Sequence, residues 1–155
     1  MKRMIGLLCA GAGLAGGVLL GAGLQPAEAS HKPGTRKHKI VYHLNENSVE
    51  KAKAVLGNML NHVKGVGGWD HIEDLVLVTH GGGIMPLIEA KMDPEVRKRF
   101  DLLYTGGLEL GVCGNTLRKK DIKLEAFRDG TLRLDQGGVT AVMEYQEEGY
   151  VYIKP

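Results

Sequence analysis

The centre of the chain contains an apolar run that passes directly into glycines: residues 75–83 read LVLVTHGGG. Four consecutive aliphatic residues without polar alternation are typical of a strand covered on both faces, as in the interior of a parallel sheet. The glycines after His80 are typical of a turn rather than of a continuing strand. The stretch therefore predicts a buried parallel strand whose carboxyl end lies at His80.

Strand-like and helix-like segments alternate on both sides of this run. Short apolar runs predict four more strands, at 40–44, 108–112, 131–134 and 150–153. Helical periodicity and helix-start signals predict helices at 49–63, 84–90, 94–103, 122–127 and 138–148. This alternation predicts an α/β fold, a three-layer α/β/α sandwich with a five-stranded parallel sheet.

Two of the predicted helices begin with capping residues. Asn47 and Glu50 have the spacing of a capping box. Asp93 precedes Pro94, and proline is favoured at the first helical position. We therefore expect Asn47 and Asp93 to cap these two helices.

The first residues have the composition of an export signal. Lys2 and Arg3 precede an uncharged run at 4–24, and Ala27-x-Ala29 matches the small-residue pattern before a signal-peptidase cut. The run is long enough to span a bilayer, so an uncleaved inner-membrane anchor facing the periplasm is the alternative. Its seven glycines weaken a membrane helix and favour cleavage. We predict a periplasmic protein with a signal peptide at 1–29, a flexible lead-in at 30–38 and one domain at 39–155.

The composition of residues 30–155 excludes several classes of function. Their 18 Lys and Arg nearly balance 17 Asp and Glu, and no basic cluster forms a nucleic-acid-binding arm. This part has one cysteine, no histidine pair with dependable metal-ligand spacing, no Gly-x-Ser-x-Gly motif and no P-loop lysine. We therefore expect no nucleic-acid partner, no metal and no cofactor.

The single cysteine of this part, Cys113, directly follows the predicted strand 108–112. Unpaired backbone N–H groups and the start of a helix favour a thiolate at such a position. One cysteine cannot form a disulfide within its chain, so it is buried and inert, paired with another chain, or used in chemistry. Gly114, Asn115 and Thr116 follow it, and the last two are candidate donors to a sulfur anion or caps of the next helix. This position favours a reactive role.

His80 ends the preceding predicted strand at the same edge of the sheet. If the two strands are neighbours, its imidazole reaches Cys113 and either stabilises the thiolate or carries its proton. The alternative is a histidine bonded to its own loop. Ligands of such sheets bind at the carboxyl ends of the strands. The candidate catalytic residues are therefore Cys113 and His80, and the candidate ligand-binding residues are Gly81, Gly82, Gly83, Gly114, Asn115 and Thr116.

Four segments occur in the order of a known family: KIVYHL at 39–44 with NMLN at 58–61, LVTHG at 77–81, GVCGNTL at 111–117, and GVTAVMEYQEEGYVYI at 138–153. In these segments the sequence resembles the DsrE/DsrF-like family, which includes the TusD-type sulfur relay proteins. The resemblance implies an α/β/α sandwich, assembly into trimers or hexamers, and a cysteine that carries sulfur as a persulfide, here Cys113. His80, Asn115 and Thr116 match the surrounding pattern without a settled role. Relay members work in the cytoplasm among partner proteins, whereas this chain has a predicted export signal.

Two functional hypotheses follow. In the first, the protein is an exported sulfur carrier that holds sulfane sulfur as a persulfide on Cys113 and passes it to a partner. The sulfur comes from a donor protein or from a small sulfur anion. In the second, it is a non-catalytic oligomeric module that binds a small ligand or anion on the backbones of 81–83 and 113–116. The apolar and aromatic run at 139–153 supports a homo-oligomer in either case.

Overall fold

The computed structural model describes residues 36–155. In this part the elements are β1 (His38–Leu44), α1 (Val49–Gly65), β2 (Ile72–Thr79), α2 (Pro94–Gly106), β3 (Leu108–Cys113), α3 (Gly114–Lys120), β4 (Leu132–Leu134), α4 (Gly138–Glu147) and β5 (Val151–Ile153). The predicted signal peptide at 1–29 and most of the predicted lead-in at 30–38 lie outside the described residues. β1 begins at the last residue of that lead-in, His38.

The five strands of the described part form one parallel sheet in the order β4-β3-β2-β1-β5. The predicted five-stranded parallel sheet is confirmed. β2 lies at its centre, and Leu75, Val76, Leu77 and Val78 are all buried, which explains why this strand shows no polar alternation. Because the strands are parallel, the carboxyl ends of β1, β2 and β3 meet at one edge of the sheet.

Helices cover both faces of the sheet, as predicted. On one face, α1 and α2 pack on β-strand residues such as Leu75 and Leu110 and form the larger core around Phe100. On the other face, α4 packs on Val76 and neighbouring valines through Ala141 and Val142. Burial of each such aliphatic side chain contributes about 1.5–3 kcal/mol. This packing fixes the start of α4 over the carboxyl edge of the sheet.

One of the two predicted caps is wrong. Ser48, not Asn47, caps α1, because Ser48 Oγ accepts a hydrogen bond from the Lys51 N–H at 3.1 Å. The Asn47 backbone instead packs against Gly82, where an added Cβ would lie 2.6 Å from Asn47 N. The prediction for Asp93 is confirmed, since Asp93 Oδ1 accepts from Glu95 N at 2.9 Å.

Two segments predicted as helices form 3-10 helices, which are tighter than the α-helix. The segment predicted as a helix at 84–90 forms 3-10 helices at Gly81–Leu87 and Glu89–Lys91, because Pro86 has no N–H for an α-helical bond and Ile88 is extended. Of the helix predicted at 122–127, only Leu124–Ala126 is helical, again as a 3-10 turn. Asp121 in the left-handed conformation ends α3 just before it.

None of the helices described between residues 36 and 155 is both long enough and apolar enough to cross a bilayer.

Candidate functional site

The strand order places His80 and Cys113 next to each other. β2 and β3 are neighbours, and Thr79 pairs with Val112, so the residues that follow leave adjacent strand ends. A Cβ added to Gly138 would lie 3.0 Å from His80 Cβ and 3.3 Å from Cys113 Cβ. Both side chains therefore surround the first residue of α4. This is the neighbouring-strand arrangement, in which the imidazole and the thiol leave adjacent strand ends.

Cys113 is buried, yet its sulfur lies in a polar environment. The residue is 5% exposed and its thiol is free. Burial raises the pKa of the thiol, but hydrogen bonds from the Thr116 hydroxyl and from the N–H groups of Gly138, Thr116 and Asn115 lower it, and the net pKa lies below its ordinary value. Buried cysteines in an apolar core lack such donors. The surroundings of the sulfur therefore favour the thiolate form of Cys113.

The donors come from two separate parts of the chain. Asn115 and Thr116 lie in the first turn after β3, as the sequence suggested. Asn115 contributes through its backbone N–H, while its side-chain oxygen accepts a hydrogen bond from Arg118. Gly138 begins α4 and was not predicted. Its lack of a side chain allows the α4 backbone to approach the sulfur closely, and the Gly137-Gly138 pair before an amphipathic helix is the sequence signal that could have identified it.

An open cleft of about 440 Å³ lies over the sulfur. Its lining contains six of the eight predicted site residues, together with two lysines that were not predicted: His80, Gly81, Gly82, Cys113, Asn115, Thr116, Lys119 and Lys120. No acidic side chain lines the cleft, and within residues 36–155 neither lysine pairs with a carboxylate. The cleft therefore presents positive charge beside the thiol.

The remaining two predicted residues, Gly83 and Gly114, lie outside the cleft. A Cβ on Gly83 would be 2.2 Å from the carbonyl oxygen of Leu44, and one on Gly114 would be 3.0 Å from the carbonyl oxygen of Leu134. Both positions allow backbones to pack closely rather than a ligand to approach. Gly81, in contrast, lines the cleft and contributes a hydrogen bond to the site. Its N–H donates to Thr116 Oγ1 at 2.9 Å and orients that hydroxyl.

His80 is half-buried and belongs to a cluster that the sequence analysis missed. Burial and the charge of Lys154 lower its pKa, so the imidazole is neutral at pH 7. Its ring stacks on the ring of His43 with 4.7 Å between centroids and a tilt of 34°. His43 Nδ1 in turn lies 3.0 Å from the Tyr152 hydroxyl.

Among residues 36–155 no three His, Cys, Asp or Glu side chains are arranged to hold a metal ion.

Comparison with known proteins supports the fold. No protein-family model matches the sequence, and no curated protein matches it. The chain is similar to a solved structure, the protein of unknown function MTH1491 from Methanobacterium thermoautotrophicum, with 22% sequence identity and a TM-score of 0.66. The match covers 77% of this chain and 100% of that one. The fold and the site together define an α/β sandwich with a cysteine and a histidine at the carboxyl edge of a parallel sheet.

Proposed function

We propose that this protein carries sulfane sulfur on Cys113 as a persulfide and passes it to a partner. The observation that carries the proposal is the environment of the Cys113 thiol. The Thr116 hydroxyl and the N–H groups of Gly138, Thr116 and Asn115 lower its pKa, and it lines an open cleft together with two lysines. Donors that stabilise a thiolate also stabilise the anionic persulfide that replaces it. The resemblance of the sequence to the DsrE/DsrF-like family agrees with this chemistry.

The loading step needs no oxidant when the donor is a thiosulfate-type anion. The Cys113 thiolate attacks the sulfane sulfur, and a new S–S bond forms as the bond to the sulfonate sulfur breaks. Sulfite leaves with the electron pair, and Cys113 is left as Cys–S–S⁻. Lys119 and Lys120 offset the repulsion between two anions in this encounter. Transfer follows when an acceptor thiolate attacks the outer sulfur and releases the Cys113 thiolate.

Cys113→Ser is expected to abolish sulfur loading. The full-length protein is incubated with thiosulfate or polysulfide, and the +32 Da adduct of one sulfur atom is located by intact-mass and peptide analysis. Cys9→Ser is the matched control, because it makes the same substitution at the chain's other cysteine; this variant should load normally. An adduct located on Cys9 and not on Cys113, or no adduct on the wild-type protein under any of these conditions, would refute the carrier function.

A second candidate is a non-catalytic module that binds a small anion in the same cleft. The observation that favours it is the pair of lysines in a lining without acidic groups. The two functions differ in their response to Cys113→Ser. A module retains reversible thiosulfate binding and heat stabilisation by the anion in this variant, with no covalent adduct in the wild type. In a carrier, Cys113 is alkylated selectively, its thiol has a low pKa, and the wild-type protein forms a covalent adduct.

We also propose that the protein is a homo-oligomer, a trimer or hexamer. On the α4 side, Val139 and Met143 are 68% and 50% exposed, and Val151 of β5 is also exposed. Met143→Glu is expected to shift the molar mass measured by light scattering towards the monomer, because a buried charge opposes association. Leu102→Glu, at an exposed apolar residue of α2, is the control and should leave the mass unchanged. A monomeric wild-type protein at micromolar concentration contradicts the proposal.

A further inference from the structure

A chain of contacts connects the last strand of the sheet to the candidate catalytic histidine. Tyr152 lies in β5, which pairs with β1 in register Tyr152 to Val41. Its hydroxyl bonds His43 Nδ1 at 3.0 Å, and the His43 ring stacks on His80 with 4.7 Å between centroids. His80 and Cys113 both line the cleft, and their Cβ atoms lie close to the same residue, Gly138. Three neighbouring strands, β5, β1 and β2, thus bring these side chains into one row.

We propose that His43 and Tyr152 are positioning residues that hold the neutral His80 imidazole beside Cys113, so that His80 takes the proton of the thiol. This inference rests on the proposed function, since it assigns the proton that must leave Cys113 before the sulfur attacks a donor. The step is a transfer from Cys–SH to an imidazole nitrogen, giving a thiolate and an imidazolium. When the imidazolium later returns the proton to an incoming or leaving sulfur group, the site is restored.

The contacts of His43 suit a positioning residue. One ring nitrogen bonds Tyr152, which limits rotation of the ring, and the other, Nε2, is buried without a hydrogen-bond partner within the described residues. Burial, with the charges of His80 and Lys154, lowers the pKa of His43 to about 4. His43 therefore stays neutral at the pH at which a thiol reacts. It offers His80 a flat, uncharged surface rather than a competing proton acceptor.

The charges around His80 favour rapid return of the proton. The titratable and charged groups near His80 are His43 from β1, Cys113 from β3, Tyr152 and Lys154 from the end of the chain, and Lys119 and Lys120, which line the same cleft. Gly138, the first residue of α4, approaches His80 without a side chain. Apart from the thiolate, this set contains no anion that would retain an imidazolium. Two stacked imidazoles also do not both become charged, because like charges at this distance repel.

Tyr152→Phe tests the inference, because it removes one hydroxyl from a partly exposed side chain and leaves the ring. We expect the protonation midpoint of His80, followed by NMR and assigned with His80→Gln, to rise towards its ordinary value, since a released His43 admits water. The alkylation rate of Cys113 should then rise several-fold at about pH 5.5, where an imidazolium beside the sulfur stabilises the thiolate, and change little at about pH 8.5, where His80 is neutral in both proteins. Tyr150→Phe is the matched control, because it removes a hydroxyl that bonds Asp74 instead.

His43→Phe provides a second, independent variant. It keeps a ring beside His80 but removes the nitrogen that bonds Tyr152, so the ring is free to rotate and the His80 midpoint is expected to move. The inference is overturned if neither variant moves the midpoint, or if Tyr150→Phe moves it equally. These readouts need no sulfur donor. A wild-type protein that never forms a persulfide therefore refutes the proposed function, whereas the His80 titration decides the role of His43 and Tyr152.

Discussion

Gly83→Ala is expected to destabilise the protein by roughly 3 kcal/mol, the upper end of the usual cost of overpacking. The new Cβ would lie 2.2 Å from the carbonyl oxygen of Leu44 and 2.8 Å from the Cα of Asn45. Both atoms belong to backbone, so no flexible side chain can move aside. The 3-10 helix that carries Gly81 and Gly82 would be pushed from the end of β1, and the cleft would lose one wall. Urea unfolding measures the change.

Gly65→Ala is the matched control for this prediction. Gly65 ends α1 and has nothing within 4 Å of its added Cβ. At such a site alanine is neutral or stabilises the helix by about 0.5–1 kcal/mol. If Gly83→Ala unfolds at the same urea concentration as Gly65→Ala, the close approach of the 3-10 helix to β1 is wrong.

Thr116→Val is expected to slow alkylation of Cys113 at pH 7 by roughly tenfold, because loss of the hydroxyl raises the pKa of the thiol. The Thr116 hydroxyl is a donor to the sulfur and also accepts from the Gly81 N–H. Without it, burial is opposed only by backbone donors, and the thiolate fraction at neutral pH falls. The pH dependence of the alkylation rate measures the midpoint directly.

Two further variants separate this effect from a general loss of structure. Thr116→Ser keeps the hydroxyl and should restore most of the wild-type rate. Thr105→Val makes the same substitution at an exposed residue of α2 and should leave the rate unchanged. An alkylation midpoint in Thr116→Val equal to that of the wild type would show that the hydroxyl does not stabilise the thiolate.

The fold could be predicted because its signals are local. The run Leu75–Val78 identified the central strand from four adjacent residues, and Asp93-Pro94 identified the start of α2. Errors arose where tertiary contacts decide between similar local choices. Asn47 and Ser48 are both good caps, and the packing of the Asn47 backbone against Gly82 leaves the cap to Ser48.

The candidate site could be predicted only in part, for the same reason. Cys113, Asn115 and Thr116 are adjacent in sequence, so their shared role follows from one strand-to-helix junction. Gly138 and Tyr152 reach the site from other elements, and their places depend on α4 crossing the sheet and on β5 pairing with β1. A single sequence does not state that strand order. His43 lies in the predicted strand 40–44, and nothing in the sequence distinguishes it from the other residues of that strand.

The arrangement of donors around Cys113 has a consequence for biosynthesis. The cysteine emerges from the ribosome before Gly138, whose N–H is one of its donors, and before Tyr152, which completes the edge of the sheet. Chains are made from the amino terminus at about 5–20 residues per second, so a nascent chain exposes this thiol for a second or more without its full set of stabilising groups. The environment that stabilises the Cys113 thiolate is therefore complete only after translation has passed these residues.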